Sequence, residues 1–147
     1  KLISKNTVIH EQCLNIDLAP TILELAGINK PKYMQGESMV KLMSGKKDKS
    51  WRKSIFFEYY VDDAWPYAGP DQVAVRTNEY KLVDNFLKDD IDELYDLIND
   101  PGEMKNLINN ANYDDIENEL RKESEKLQKK YKYNPDRDWW LRKQIRK

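Results

Sequence analysis

The chain has one cysteine and one histidine in 147 residues. A single Cys13 excludes an internal disulfide framework and any metal site built from several thiolates. Nothing near it would lower its pKa, so Cys13 is expected as a small buried hydrophobe rather than a nucleophile. His10 has neither a cysteine nor a second histidine as partner, and reads as a core or surface side chain. No stretch approaches the ~18 apolar residues that a membrane-crossing helix needs, so no membrane partner is expected. No secretory leader is visible, but the chain starts at Lys1 in mid-pattern, so this carries no information about a parent protein. There is no internal repeat. The formal net charge is −1, without the basic excess across the fold that a nucleic-acid protein usually shows, and no nucleic-acid partner is expected.

What the chain does carry is charge. Charged residues make up 35% and the hydrophobic set 39%, enough for one ordinary domain with a small core and a heavily solvated surface. Between positions 84 and 125 there are 14 acidic and 4 basic residues, whereas 137–147 has 5 basic and 1 acidic. The basic end reads as a solvated tail.

The most structured signal is residues 93–107, ELYDLINDPGEMKNL. Leu94, Tyr95 and Leu97 read as a strand buried mainly on one face, interrupted by Asp96. Asp100-Pro101-Gly102-Glu103 then presents a capping carboxylate, a proline where no N–H is needed, and a glutamate three residues on. Together these predict a capped helix over 101–109, with the Asp100 cap worth roughly 1 kcal/mol. Upstream, Asp17 stands immediately before Leu18, Ile22, Leu25 and Ala26 at helical spacing, which makes it an N-cap rather than a catalytic acid. Pro20 sits in the first turn, and Gly27 ends the helix. A second short helix has Met39, Leu42 and Met43 facing inward and stops at Gly45.

Residues 1–9 read as two short strand pieces around a turn. Positions 51–60 alternate apolar and aromatic groups on both faces, as a central strand would. Residues 72–77 and 80–84 form a hairpin across Asn78-Glu79, and 93–97 adds a fourth strand. Between about 112 and 131, Ile116, Leu120, Leu127 and Tyr131 fall on one stripe of a long helix that Pro135 ends. The fold class is α+β: a four-stranded antiparallel sheet packed against a long C-terminal helix, preceded by a helical piece.

LYDL, DPGE and NL at this spacing resemble the C-terminal signature of type I, formylglycine-dependent sulfatases, especially bacterial glycan sulfatases and their iduronate-sulfatase and heparan-sulfatase relatives. Further blocks of that pattern precede it in order: NIDLAPTILELAGI (15–28), MQGESMVKLMSG (34–45), WRKSIFFEYY (51–60) and VRTNEYKLV (75–83). The resemblance implies that residues 1–48 are the edge of an alkaline-phosphatase-like catalytic domain. It makes 49–134 the sulfatase C-terminal subdomain and 135–147 a basic tail containing Trp139 and Trp140. It also implies a periplasmic or secreted parent.

Sulfate ester hydrolysis needs a nucleophile, a divalent cation and a proton donor. In this family these are formylglycine, calcium on Asp and Asn side chains, and Lys and His around the sulfate. Cys13 is followed by Leu14, Asn15, Ile16 and Asp17, so the Cys/Ser-x-Pro/Ala-x-Arg motif is absent. Asp62-Asp63, Asp89-Asp90 and Asp114-Asp115 lack the metal-site context, and residues 84–93 lack the glycine of a calcium loop. No catalytic or metal-binding residue is therefore expected in this chain. Calcium and formylglycine belong to the parent enzyme, and the missing N-terminal catalytic domain is the expected partner.

The resemblance leaves this chain contacts with a sulfated glycan. Trp65 and Tyr67 are candidate sugar platforms, and Arg76 a candidate anion contact or else a structural ion pair with nearby acids. Lys81 is a candidate for sulfate or carboxylate groups, or a solvated strand lysine. Ala74 replaces the family's usual glycine, and no histidine lies within 62–72, so the substrate preference stays open. Two other readings remain: the C-terminal part of a related phosphonate or phosphate monoester hydrolase, and a stand-alone glycan-binding or protein-docking module.

Overall fold

The structure, a computed structural model, describes residues 3, 5, 6, 8–59, 72–85 and 91–133. Two compact units divide the chain, Lys1–Lys53 and Ser54–Lys147.

The first unit is built on a buried ion pair. A single 3-10 turn at Asn15–Asp17 leads into helix α1, Leu18–Leu25, and a second helix α2 follows at Val40–Met43. Asp17 does stand at the start of α1, yet its carboxylate makes no cap bond to that helix. It is fully buried and accepts from the amides of Leu14 at 2.7 Å and Glu37 at 2.8 Å. Arg52 completes the shell bidentately, at 2.5 and 2.6 Å. A charge this deep needs several donors, and four converge on it. Gly36 is required beside it, because a Cβ there would collide with the Ile16 carbonyl. Thr21 ties α1 to the next segment, donating to the Asp17 carbonyl and accepting from the Met39 amide.

Several expectations for this unit are corrected. Cys13 is exposed rather than buried. No strand occurs among the described residues before Asn15. The apolar stripe of α1, whose direction the spacing left open, points outward: Leu18, Ile22 and Leu25 are each more than half exposed. The buried residues of α1 are Pro20 and Thr21.

The second unit is the predicted sheet and helix. Strands β1 (Ile55–Tyr59), β2 (Gln72–Arg76), β3 (Tyr80–Asn85) and β4 (Glu93–Asp96) form an antiparallel sheet in the order β1-β2-β3-β4. Thr77 fixes the β2–β3 turn: its hydroxyl oxygen accepts from the amides of Glu79 and Tyr80, holding the two-residue connection in register. Helix α3, Asp114–Tyr131, covers one face. Val75, Leu82 and Leu94 from the sheet meet Leu107, Leu120 and Leu127 in the core, with Phe56, Ile116 and Tyr131 packed around them. Acids in the first turn of α3 and lysines in its last match the helix dipole. The helix ends where Lys132 turns left-handed at φ 56°. Pro135, expected to end it, lies outside the described residues.

Strand β1 is an edge strand, not a central one. Of its residues, Ile55 is buried while Phe57 and Tyr59 are exposed. Apolar groups on both faces suit a central strand, but aromatics on an edge satisfy the same pattern.

The expected helix over 101–109 does not form. Glu103 adopts φ 54°, which an α-helix excludes, and its amide closes a turn on the Asp100 carbonyl at 3.1 Å. The Asp100 carboxylate accepts from the Lys105 amide instead of capping a helix. Residues 106–107 then return to the sheet. The Leu107 amide donates to the Leu94 carbonyl at 2.8 Å, and the Leu94 amide donates to the Asn106 side-chain oxygen at 3.0 Å. Asp96, expected to interrupt a strand, is buried and accepts from the amides of Ile98 and Asn99 and from the Asn99 side chain. These bonds hold its carboxyl below the usual range, the Asn99 side chain contributing most.

The Asp17–Arg52 pair yields a test. Burial pushes the Asp17 carboxyl up, but hydrogen bonds from Arg52, Glu37 and Leu14 outweigh it and leave the pKa lowered. A depressed folded pKa contributes stability above the unfolded value, about 3.9, that is lost as pH falls through the folded one. Asp17→Asn, by removing the buried carboxylate that pairs with Arg52, should therefore cost about 3 kcal/mol at pH 7. The difference from wild type should shrink only below about pH 4, read by urea unfolding of both proteins across pH.

Candidate functional site

The sheet face away from α3 carries the polar ladder. Register places Arg76 of β2 opposite Lys81 of β3, and Lys81 opposite Tyr95 of β4. Ile55 of β1 lies on the other side of Arg76. The hairpin at Asn78-Glu79 thus brings two basic side chains side by side on one face, as period-two alternation dictates.

The two cations differ. Lys81 donates to Glu103 at 2.6 Å, and its ammonium stands 5.8 Å from the centre of the Tyr95 ring. Its charge is balanced by this chain. The left-handed turn at Glu103 is what delivers that carboxylate, so the residue expected in a capping box serves as the lysine's partner. Tyr95 in turn donates its hydroxyl to Glu93 at 2.8 Å. Burial, then the Glu93 carboxylate, pushes the Tyr95 phenol up to about 12. It therefore stays protonated at neutral pH, serving as a fixed donor and not as a base.

Arg76 is exposed, and among the described residues it makes no ion pair. A structural ion pair with the acids described in this subdomain is therefore not what holds it. A guanidinium in that state, flanked by a neutralised lysine, is suited to bind a planar or tetrahedral anion through two parallel N–H bonds. Asp84, whose carboxyl is pushed up first by burial and then by Asp92, lies on the opposite, helix-facing side of β3 and does not meet this ladder.

Of the sequence candidates, the sheet brings Arg76 and Lys81 together. Trp65 and Tyr67 lie outside the described residues, as do Asp62, Asp63, Asp89, Asp90, Trp139 and Trp140. Sequence reasoning does not single out Glu103 or Tyr95 for this face. The strand register places Tyr95 beside Lys81 and could have found it, whereas Glu103 depends on a turn whose residues look like a helix start.

The donor set does not fit a resident metal: among the described residues no group of three or more His, Cys, Asp and Glu could share an ion. Nor is Cys13 an activated thiol: although its side chain is exposed, desolvation by neighbouring protein first and the Asp17 carboxylate next push it above its ordinary pKa.

The ladder's two cations separate on mutation. Arg76→Ala should change unfolding free energy by less than about 0.5 kcal/mol. A double-mutant cycle on Lys81 and Glu103 should return a coupling of up to about 1 kcal/mol that weakens in high salt.

A family model described as "N-sulphoglucosamine sulphohydrolase, C-terminal" matches residues 1–130. The chain is 36% identical over 126 residues to an N-acetylglucosamine-6-O-sulfatase of Bacteroides thetaiotaomicron, covering 84% of this chain and 22% of that protein. It is 34% identical over 101 residues to a Delta 4,5-hexuronate-2-O-sulfatase of the same organism, covering 69% and 20%. Among solved structures, one described as in complex with its substrate D-glucosamine-2-N,6-O-disulfate superposes with a TM-score of 0.75 at 33% identity, over 81% of this chain and 24% of that one. The phosphonate monoester hydrolase of Agrobacterium radiobacter shares the fold at TM-score 0.64 and 22% identity, over 78% and 24%. The chain spans about a fifth of the length of the two curated relatives.

Proposed function

The chain belongs to the N-sulphoglucosamine sulphohydrolase C-terminal family, and from that premise we propose that it shapes the substrate pocket of a parent enzyme that hydrolyses sulfate esters on glycans. Arg76 carries the reading. Among the described residues it is a guanidinium without an acid, beside a lysine that is already neutralised, and a sulfate or carboxylate on a sugar is the complementary partner. Trp65 and Tyr67 remain candidate sugar platforms close to it in sequence. Lys81, held by Glu103 and beside the Tyr95 ring, completes the row next to Arg76. Support for a glycan comes from the relatives, one acting on N-acetylglucosamine-6-O-sulfate groups by its name and another solved with a disulfated glucosamine. The phosphonate hydrolase likeness is a likeness of fold.

In this reading residues 1–48 are the edge of the catalytic domain, 49–134 the C-terminal subdomain and 135–147 a basic tail. The preceding part of the parent supplies the nucleophile and the calcium site. The chain by itself contributes binding and shape.

The test uses both chains. The 147-residue protein should release no sulfate from an aryl sulfate, even with calcium; activity that survives purification and tracks the protein would contradict the reading. In the parent enzyme, Arg76→Ala should depress kcat/KM on a sulfated disaccharide about 10- to 100-fold, consistent with losing one charge-assisted contact. The same change should leave aryl sulfate turnover near wild type. Equal loss on both substrates would make Arg76 a structural residue.

A further inference from the structure

Glu103 is the strained member of the basic row. Its φ of 54° is a left-handed backbone that glycine or asparagine takes at lower cost than a glutamate does. The sequence nonetheless places a carboxylate there, directly after Gly102, and the turn delivers it to the Lys81 ammonium at 2.6 Å. In the sheet Lys81 stands opposite Arg76, close enough for the two side chains to act on the same group. On the other flank of Arg76, Ile55 is apolar and buried. Without Glu103 the row would present two adjacent cations; with it, the row presents one. Past Lys81 the surroundings are acidic: after burial, the carboxylates of Glu93, Glu103 and Asp100 are what raise the Tyr95 phenol.

We infer that Glu103 is a specificity-determining residue: by cancelling the Lys81 charge it matches the row to a sulfate ester, with its single negative charge, and against a phosphate monoester. A phosphate monoester has a second pKa of about 6 and carries almost two charges at neutral pH. The first of those charges meets Arg76 as a sulfate would. The second finds no uncompensated cation in the row, faces the neighbouring carboxylates, and must still be stripped of water to enter. Size and tetrahedral shape hardly separate the two esters, so charge count is the property left for the protein to read. The strain at position 103 is then the cost of holding the counter-charge in place.

The inference rests on the reading of Arg76 as an anion contact, and one titration separates the two. The 147-residue protein is titrated at pH 7.5 with N-acetylglucosamine 6-sulfate and, separately, with N-acetylglucosamine 6-phosphate. Binding is followed by NMR through the Arg76 side-chain N–H and the amides of residues 75–77 and 80–82. Glu103→Gln should shift the ratio of the two dissociation constants toward the phosphate by about 3- to 5-fold, the scale of one exposed charge pair. Lys81→Gln, which leaves Glu103 unbalanced, should shift it the other way, and the double variant should return it to the wild-type value. A purely structural Glu103 would produce no such reversal. Should Glu103→Gln fold poorly, Glu103→Asn removes the same charge and suits the left-handed turn. Binding of both sugars at Arg76 with a ratio that none of these changes moves overturns the inference and leaves the anion contact standing. The absence of shifts in the wild type, or shifts that persist in Arg76→Ala, overturns the anion contact and the inference with it.

Discussion

The sheet stops where the outward N–H and C=O of Leu94 are taken up. An edge strand left open is a template for another chain, and here the next stretch of the same polypeptide closes it. Asn106 accepts from the Leu94 amide and Leu107 donates to the Leu94 carbonyl, so residues 106–107 finish the sheet in place of a fifth strand. The Asn106 side chain also donates to the Asp92 carbonyl, which holds the entry to β4. Leu107 is then committed to the core beside Leu94, and the polar clamp and the apolar packing enforce the same path. The turn at 100–105 results from that return, and so does the position of Glu103 next to Lys81.

This closure explains which parts of the fold are legible in the sequence. The β2–β3 hairpin and α3 are specified locally, by β-branched residues around a two-residue turn and by an apolar stripe with a period of 3.6. The signals in Asp100-Pro101-Gly102-Glu103 serve a helix start or a turn equally, because both need an accepting carboxylate and a residue without an N–H. The next three residues decide between them. Met104, Lys105 and Asn106 are exposed and offer no apolar repeat, so nothing stabilises a helix there and the long-range bonds to β4 win. At α1 the periodicity is legible and its direction is not, since amphipathic spacing does not state which element meets the apolar side. The adjacency of Arg76 and Lys81 can be read from the hairpin. Their unequal charge balance cannot, because it hangs on Glu103.

The two units share one logic: a buried or edge polar group is satisfied at several points, and that fixes backbone far apart in sequence. Asp17 does this by gathering Leu14, Glu37 and Arg52, and Asn106 does it at the strand edge. In the second unit the result is a rigid platform whose face away from α3 displays an exposed arginine.

The closure of β4 by residues 106–107 is most directly tested by amide hydrogen exchange on Asn106→Ala. The account predicts that protection falls at Leu94 and Leu107 while the β2–β3 amides keep theirs, because only the edge clamp is lost. Unchanged protection at Leu94 and Leu107 would contradict it and place the end of the sheet under some other control.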